Sequence, residues 1–221
     1  MKHLFVFFGI ILFITGVANA DLVAGWDMLG ETGDQESTPG ISGANISADD
    51  MVRGSDLTAA TASNAFSSRG WDDDDDGDYI QFGFSVDTSY QVSLEELWIG
   101  TRSSGTGPGT IGVYTSLDGY SNPIYSITQN NTDYSNSIID MESLGTITGD
   151  FSVRLYEIGN TQADGEGETA GTGTFRIVDY YDGTYIDTHF EGIISSVPVP
   201  GAVWLLGSTL IAMTGIRRRK G

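Results

Sequence analysis

The stretch Tyr79-Ile-Gln-Phe-Gly-Phe-Ser-Val86 constrains the fold of this chain more than any other. Ile80, Phe82, Phe84 and Val86 alternate with Tyr79, Gln81, Gly83 and Ser85. A period of two belongs to a strand with one face in a core and one in water, so the first set is expected to be buried. Phe151 to Tyr156 repeats the pattern, with Phe151, Val153 and Leu155 inward. Val92 to Thr101 also reads as a strand, but its phase changes between Leu94 and Leu97, which a bulge would explain.

Shorter strands are expected at Asp21 to Asp27, with Leu22, Ala24 and Trp26 on one face, and at Ile111 to Ser116 ahead of the Asp118-Gly119 turn. Another is expected around Ala44 to Ser47, while Thr58 to Phe66 reads equally as strand or loop. Thr174 to Tyr181 and Thr184 to Ile193 suggest a hairpin around Asp182-Gly183, and the acidic, glycine-rich run Gly159 to Gly173 suggests a mobile loop. No helical period of apolar residues is sustained between the two ends, and Gly, Ser, Thr, Asn and Asp are abundant. The expectation is an all-β domain, an antiparallel sandwich of roughly nine to eleven strands.

The termini set the domain's limits. Lys2, the apolar run Leu4 to Gly16, and Ala18-Asn19-Ala20 form a signal peptide (residues 1–20) with cleavage after Ala20. At the other end Val197-Pro198-Val199-Pro200 precedes an uncharged apolar run, residues 201–216, and the basic tail Arg217-Arg218-Arg219-Lys220. Neither proline can donate a backbone hydrogen bond, so the pair stops any regular element before it. Sixteen helical residues reach roughly 24 Å, short of a hydrocarbon core of about 30 Å unless the arginines snorkel and the bilayer thins.

This end resembles the PEP-CTERM sorting signal of Gram-negative bacteria. Gly201-Ala202-Val203-Trp204-Leu205-Leu206-Gly207-Ser208 after the proline motif is typical of one branch of that family, and Val199 stands where the family name implies glutamate. The resemblance implies recognition by exosortase, a transpeptidase-like membrane protein. The inner membrane would then be a way station before the cell surface, outer membrane or extracellular matrix. It covers residues 197–221 and is silent about the ectodomain, residues 21–196. There a second resemblance holds, to ectodomains found ahead of such signals. It rests on the order Trp71…Asp78-Tyr79-Ile80-Gln81-Phe82, Ser103…Gly107-Pro108, Val113-Tyr114-Thr115-Ser116-Leu117-Asp118-Gly119-Tyr120, Val153-Arg154-Leu155-Tyr156 and Gly173-Thr174-Phe175-Arg176-Ile177. It implies a jelly-roll-like sandwich and brings no enzymatic activity with it; the expected setting is beside exopolysaccharide.

The ectodomain carries all 30 carboxylates of the chain against five arginines and no lysine. Such a surface repels nucleic acid and favours divalent cations. Cysteine is absent, which removes thiol catalysis and cysteine-ligated zinc. The best cation candidate is Asp72-x-Asp74-x-Asp76-Gly77, whose alternate carboxylates converge on Ca²⁺ in known loops, although Gly83 stands where an EF-hand needs glutamate. The plain reading of the same run is a solvated acidic loop.

No catalytic residues are assigned. His189 is the only imidazole of the mature chain, and the alternation around it puts it on a wet face beside Asp187 and Glu191. Among the indoles, Trp26 and Trp98 are expected in the core, and Trp71 is the candidate for stacking on a sugar ring. Tyr180, Tyr181 and Tyr185 form a further aromatic group. The expected role is that of an exported non-enzymatic matrix protein, with a carbohydrate-binding module and then a secreted polysaccharide hydrolase as alternatives.

Overall fold

The computed structural model describes residues 20–72, 76–131, 133–181 and 186–198. In chain order its strands are β1 (Asp21–Trp26), β2 (Ser37–Thr38), β3 (Ile41–Ser42), β4 (Ile46–Ala48), β5 (Met51–Arg53), β6 (Thr58–Ala59), β7 (Ala65–Arg69) and β8 (Tyr79–Val86). They continue with β9 (Tyr90–Ser103), β10 (Thr110–Thr115), β11 (Pro123–Thr128), β12 (Ser135–Asp140), β13 (Thr146–Ile147), β14 (Asp150–Glu157), β15 (Thr174–Val178) and β16 (Thr188–Ser196). Two single-turn 3-10 helices, Ser116–Asp118 and Glu142–Leu144, are the only helices among the described residues.

Two antiparallel sheets form a β-sandwich. A nine-stranded sheet runs β3-β1-β16-β9-β15-β7-β6, with β12 and β13 also on β9. A seven-stranded sheet runs β11-β10-β14-β8-β5-β2, with β4 also on β8. Their inner faces meet in one core, where rings interlock across the gap: Trp26 meets Phe82 at 5.0 Å, and Phe190 meets Phe84 at 5.7 Å and Phe151 at 5.8 Å.

The long alternating strands behave as their period dictates. Ile80, Phe82, Phe84 and Val86 are buried, as are Phe151, Val153 and Leu155. Gly83 lets β14 come close, since a Cβ there would sit 2.3 Å from the Phe151 carbonyl oxygen. The bulge in β9 is present too: Glu96 faces Glu191 and Leu94 faces Gly192, leaving Glu95 extra. That extra residue turns Leu97 inward and Trp98 outward. Trp98 is therefore half-buried on the outer face, not in the core. In β1 a register shift at Val23 buries Val23, Ala24 and Trp26 together and leaves Leu22 half-exposed.

The expected hairpin does not form. β12 pairs with residues 96–101 of β9, overlapping the stretches used by both β15 and β16, so those two share the opposite edge. Val178 faces Gly100 and His189 faces Trp98, so β15 and β16 follow one another along that edge, and the turn expected at Asp182-Gly183 lies outside the described residues. The Gly159 to Gly173 stretch is fastened rather than loose. Gly109, Ala163, Asp164 and Ala170 donate backbone N–H groups between it and residues 105–109, at 2.7 to 3.0 Å. Thr58 to Phe66 divides into β6, a turn and the start of β7.

Candidate functional site

On the outer face of the seven-stranded sheet, the phase opposite to the core carries tyrosines on three neighbouring strands. Tyr79 of β8 faces Tyr156 of β14, and Tyr114 of β10 faces Arg154 of β14. Tyr156 contacts the Tyr79 ring at 5.6 Å and the Tyr114 ring edge-on at 5.3 Å. Arg154 lies among them, its guanidinium 3.9 Å from the Tyr79 ring centre and 4.2 Å from that of Tyr120. Gln81 Oε1 accepts from Arg154 Nε at 2.7 Å, and the Tyr156 hydroxyl accepts from a terminal nitrogen at 3.0 Å. Two hydrogen bonds and two ring faces fix the guanidinium, and each cation–π contact is worth about 0.5–2 kcal/mol.

Tyr120 reaches this cluster from an unusual backbone. After the Ser116–Asp118 turn, Gly119 has φ 69° and Tyr120 has φ 60°. Glycine adopts that region freely, but a bulky residue there carries strain, which collects at ligand-binding positions. The turn is held by Asp118, whose carboxylate accepts from the Ser121 N–H at 3.1 Å and the Asn122 N–H at 3.0 Å. The Tyr120 hydroxyl meets Ser152 Oγ at 2.5 Å.

Tyr114, Tyr120, Tyr156 and Arg154 wall an open pocket of about 530 Å³, together with Asp76, Gly119, Ser121 and Glu157. Burial, and then the nearby Tyr156, push the Tyr114 phenol above its ordinary value. Burial works against the charge on Arg154, but the Tyr156 hydrogen bond and the surrounding phenols outweigh it and the net shift is upward. The pocket thus offers ring faces, hydroxyls, a fixed cation and two carboxylates, a set suited to a polyhydroxylated ring.

Trp71 is not part of it. It is 1 % exposed and packs edge-on against Phe175 at 5.4 Å, so the sugar-stacking role expected of it is corrected: no ring face is open. Its Nε1 donates to the Ser68 carbonyl at 3.4 Å. His189 is likewise not on a wet face. It is 5 % exposed, stacked on Trp98 with ring centres 5.6 Å apart, and its Nε2 lies 3.5 Å from Glu191 Oε1. Trp98 and the buried Tyr180, 5.2 Å from it, close over the imidazole side of β16.

Asp72 and Asp76 are exposed, Asp76 at the pocket wall, and Asp74 lies outside the described residues. Among the described residues no group of three or more His, Cys, Asp or Glu side chains is placed to hold a metal ion, so no coordination set for calcium is assembled there. Val197 and Pro198 follow β16, with the Val197 N–H on the Ser89 carbonyl at 2.9 Å. Ala20 is exposed just before β1. Ala18, Val199, Pro200, Tyr185, the 201–216 run and Arg217 to Lys220 lie outside the described residues.

No family model matches the chain, and no curated protein matches it. Among solved structures it is similar to a family 36 carbohydrate-binding module in complex with calcium and xylotriose, at 13% identity and a TM-score of 0.29. The likeness covers 53% of this chain and 73% of that one.

Proposed function

We propose that this chain is an exported, non-enzymatic matrix protein that binds saccharide through the tyrosine-lined pocket on its seven-stranded sheet. What carries the reading is the strained Tyr120 held beside Arg154, Tyr114 and Tyr156 at one pocket of about 530 Å³. Three tyrosines, Tyr114, Tyr120 and Tyr156, line that pocket outside the core between the sheets, and an amphipathic ring beside hydroxyls suits a pyranose. In this reading the sandwich is of jelly-roll type. Its signal peptide ends at Ala20, and the segment from Val197 is read by an exosortase that releases the domain from the inner membrane to the surface, beside exopolysaccharide. Asp72, Asp74 and Asp76 are the residues through which Ca²⁺ would act; of these Asp76 lines the pocket.

A glycan array probed with the mature protein tests the binding claim. Saturable signal on a saccharide class, lost in Tyr120→Ala, supports it. A second reading, a polysaccharide hydrolase, draws on Asp76 and Glu157 lining the same pocket. Glu157 Oε1 accepts from the Thr169 hydroxyl, which suits a positioned carboxylate in either role. Release of reducing ends from the array's best ligand would favour this second reading.

A further inference from the structure

The nine-stranded sheet carries a different feature on its own outer face. Arg176 of β15 stands directly opposite Arg102 of β9 and, on its other side, opposite Ser67 of β7. Arg69 lies two residues beyond Ser67 on the same face and is exposed. Three of the five arginines of a domain with 30 carboxylates thus share one corner. Like charges directly opposite in a sheet destabilise it, and the usual remedy is an acidic neighbour.

Among the described residues the one ion pair within 4.0 Å joins His189 to Glu191, so neither Arg102 nor Arg176 is paired with a described carboxylate. The Nε groups of Arg102 and Arg176 are buried with no hydrogen-bond partner, and so is Ser67 Oγ, in a residue 1 % exposed. Burial, then the nearby Arg102, hold the Arg176 pKa below its ordinary value.

The surroundings are aromatic instead. The Arg102 guanidinium lies 4.6 Å from the centre of the Tyr134 ring and donates to its hydroxyl at 3.1 Å. Tyr181 meets Tyr134 edge-on at 5.7 Å, and both rings are more than half exposed, at 51% and 67% for Tyr134 and Tyr181. A guanidinium fork matches a carboxylate or sulfate with two parallel hydrogen bonds, and a ring beside it gives a sugar a face to lie on. A dense polyanion such as nucleic acid is disfavoured by the acidic remainder of the domain. An oxyanion spaced along a saccharide meets less of that repulsion.

We propose that Arg102 and Arg176, flanked by Tyr134 and Tyr181, form a second saccharide site that takes the carboxylate or sulfate group of an acidic polysaccharide. The site faces away from the tyrosine pocket, on the other sheet, and does not depend on that pocket binding anything. If both sites are filled, one domain joins two chains.

The test is a titration of the full-length chain in detergent micelles with oligogalacturonate, a sulfated dextran oligomer and neutral dextran. At 0.15 M NaCl the acidic bulk is screened beyond about 8 Å. The expected result is saturable binding of one or both anionic oligomers at least tenfold tighter than of neutral dextran. A preference for oligogalacturonate assigns carboxylate, and a preference for the sulfated oligomer assigns sulfate. Arg102→Gln and Arg176→Gln should each weaken binding about tenfold, Arg176→Lys less, and Tyr120→Ala not at all. Removing one of two facing cations should leave the melting temperature unchanged or higher, so loss of binding in Arg176→Gln would not be loss of fold. Failure of both anionic oligomers to bind, or binding indifferent to Arg102→Gln and Arg176→Gln, overturns the proposal.

Discussion

The carboxylate of Asp187 accepts the backbone N–H of Met28 at 2.6 Å, tying the residue just before β16 to the second residue past β1 across 159 positions of sequence. The bond is made in a crowded place. Burial first, and then Asp179 and Asp27, drive the Asp187 carboxyl upward against the pull of the Met28 N–H, from 3.8 to about 7. A carboxyl whose folded pKa is raised favours the folded state while it is protonated. The contribution is therefore full below pH 3.8 and is lost as pH rises through about 7.

The melting temperature should accordingly fall between pH 5 and pH 8 by more than in Asp187→Asn, which keeps an acceptor for Met28 and has nothing to titrate. Thermal scans of both proteins across that range make the comparison. Parallel profiles would show that Asp187 does not set the pH response.

Phe82→Ala should cost about 3–5 kcal/mol in urea denaturation, since the ring is 1 % exposed and contacts both Trp26 and Phe190. Gln81→Ala on the other face should cost about 1 kcal/mol, for the hydrogen bond to Arg154 Nε. Equal losses at the two positions would contradict the assignment of faces.

The strands that repeat every second residue could be read from the chain because their inward set is uniformly large and apolar, as in β8 and β14. The bulge at Glu95 was legible for the same reason, as a break in that phase. Its effect on Trp98 was not, because an indole suits a core and a half-covered face equally well. The Thr174 to Ile193 hairpin failed on partner choice: Asp182-Gly183 favours a tight turn locally, but β9 is long enough to take β15 and β16 in succession along one edge. Trp71 was misplaced because an acidic run follows it, while Phe175, more than 100 residues on, decides its burial. The pocket was visible only in outline. Tyr79, Tyr114 and Tyr156 all fall on polar phases of strands, yet nothing short of the β10-β14-β8 order brings them together.

Crowded carboxylates with so few cations among them should make the domain sensitive to divalent ions. Millimolar CaCl₂ should raise the melting temperature above the value in NaCl of equal ionic strength, and replacing Asp72, Asp74 and Asp76 by asparagine should remove most of the difference. Equal effects of the two salts would mean that the ions act as atmosphere and that the run is a solvated loop.

The proposed export and sorting would leave a mass signature. In a host with the cognate exosortase, the surface form should begin at Asp21 and yield no peptide from Trp204 onward. Recovery of Arg217 to Lys220 on surface protein would refute processing at the proline motif.

The claim that the tyrosine pocket is a saccharide site is tested most directly by calorimetric titration of its best array ligand into wild type, Tyr120→Ala and Trp71→Phe. The account predicts that Tyr120→Ala weakens binding at least tenfold, about 1.4 kcal/mol or more, and lowers the melting temperature only modestly: the ring's contact with Arg154 and its hydroxyl's bond to Ser152 are lost, while alanine keeps the strained φ. Trp71→Phe should lower stability and leave affinity intact, because that indole is in the core. Undiminished binding in Tyr120→Ala, or loss of binding in a folded Trp71→Phe, would contradict the account.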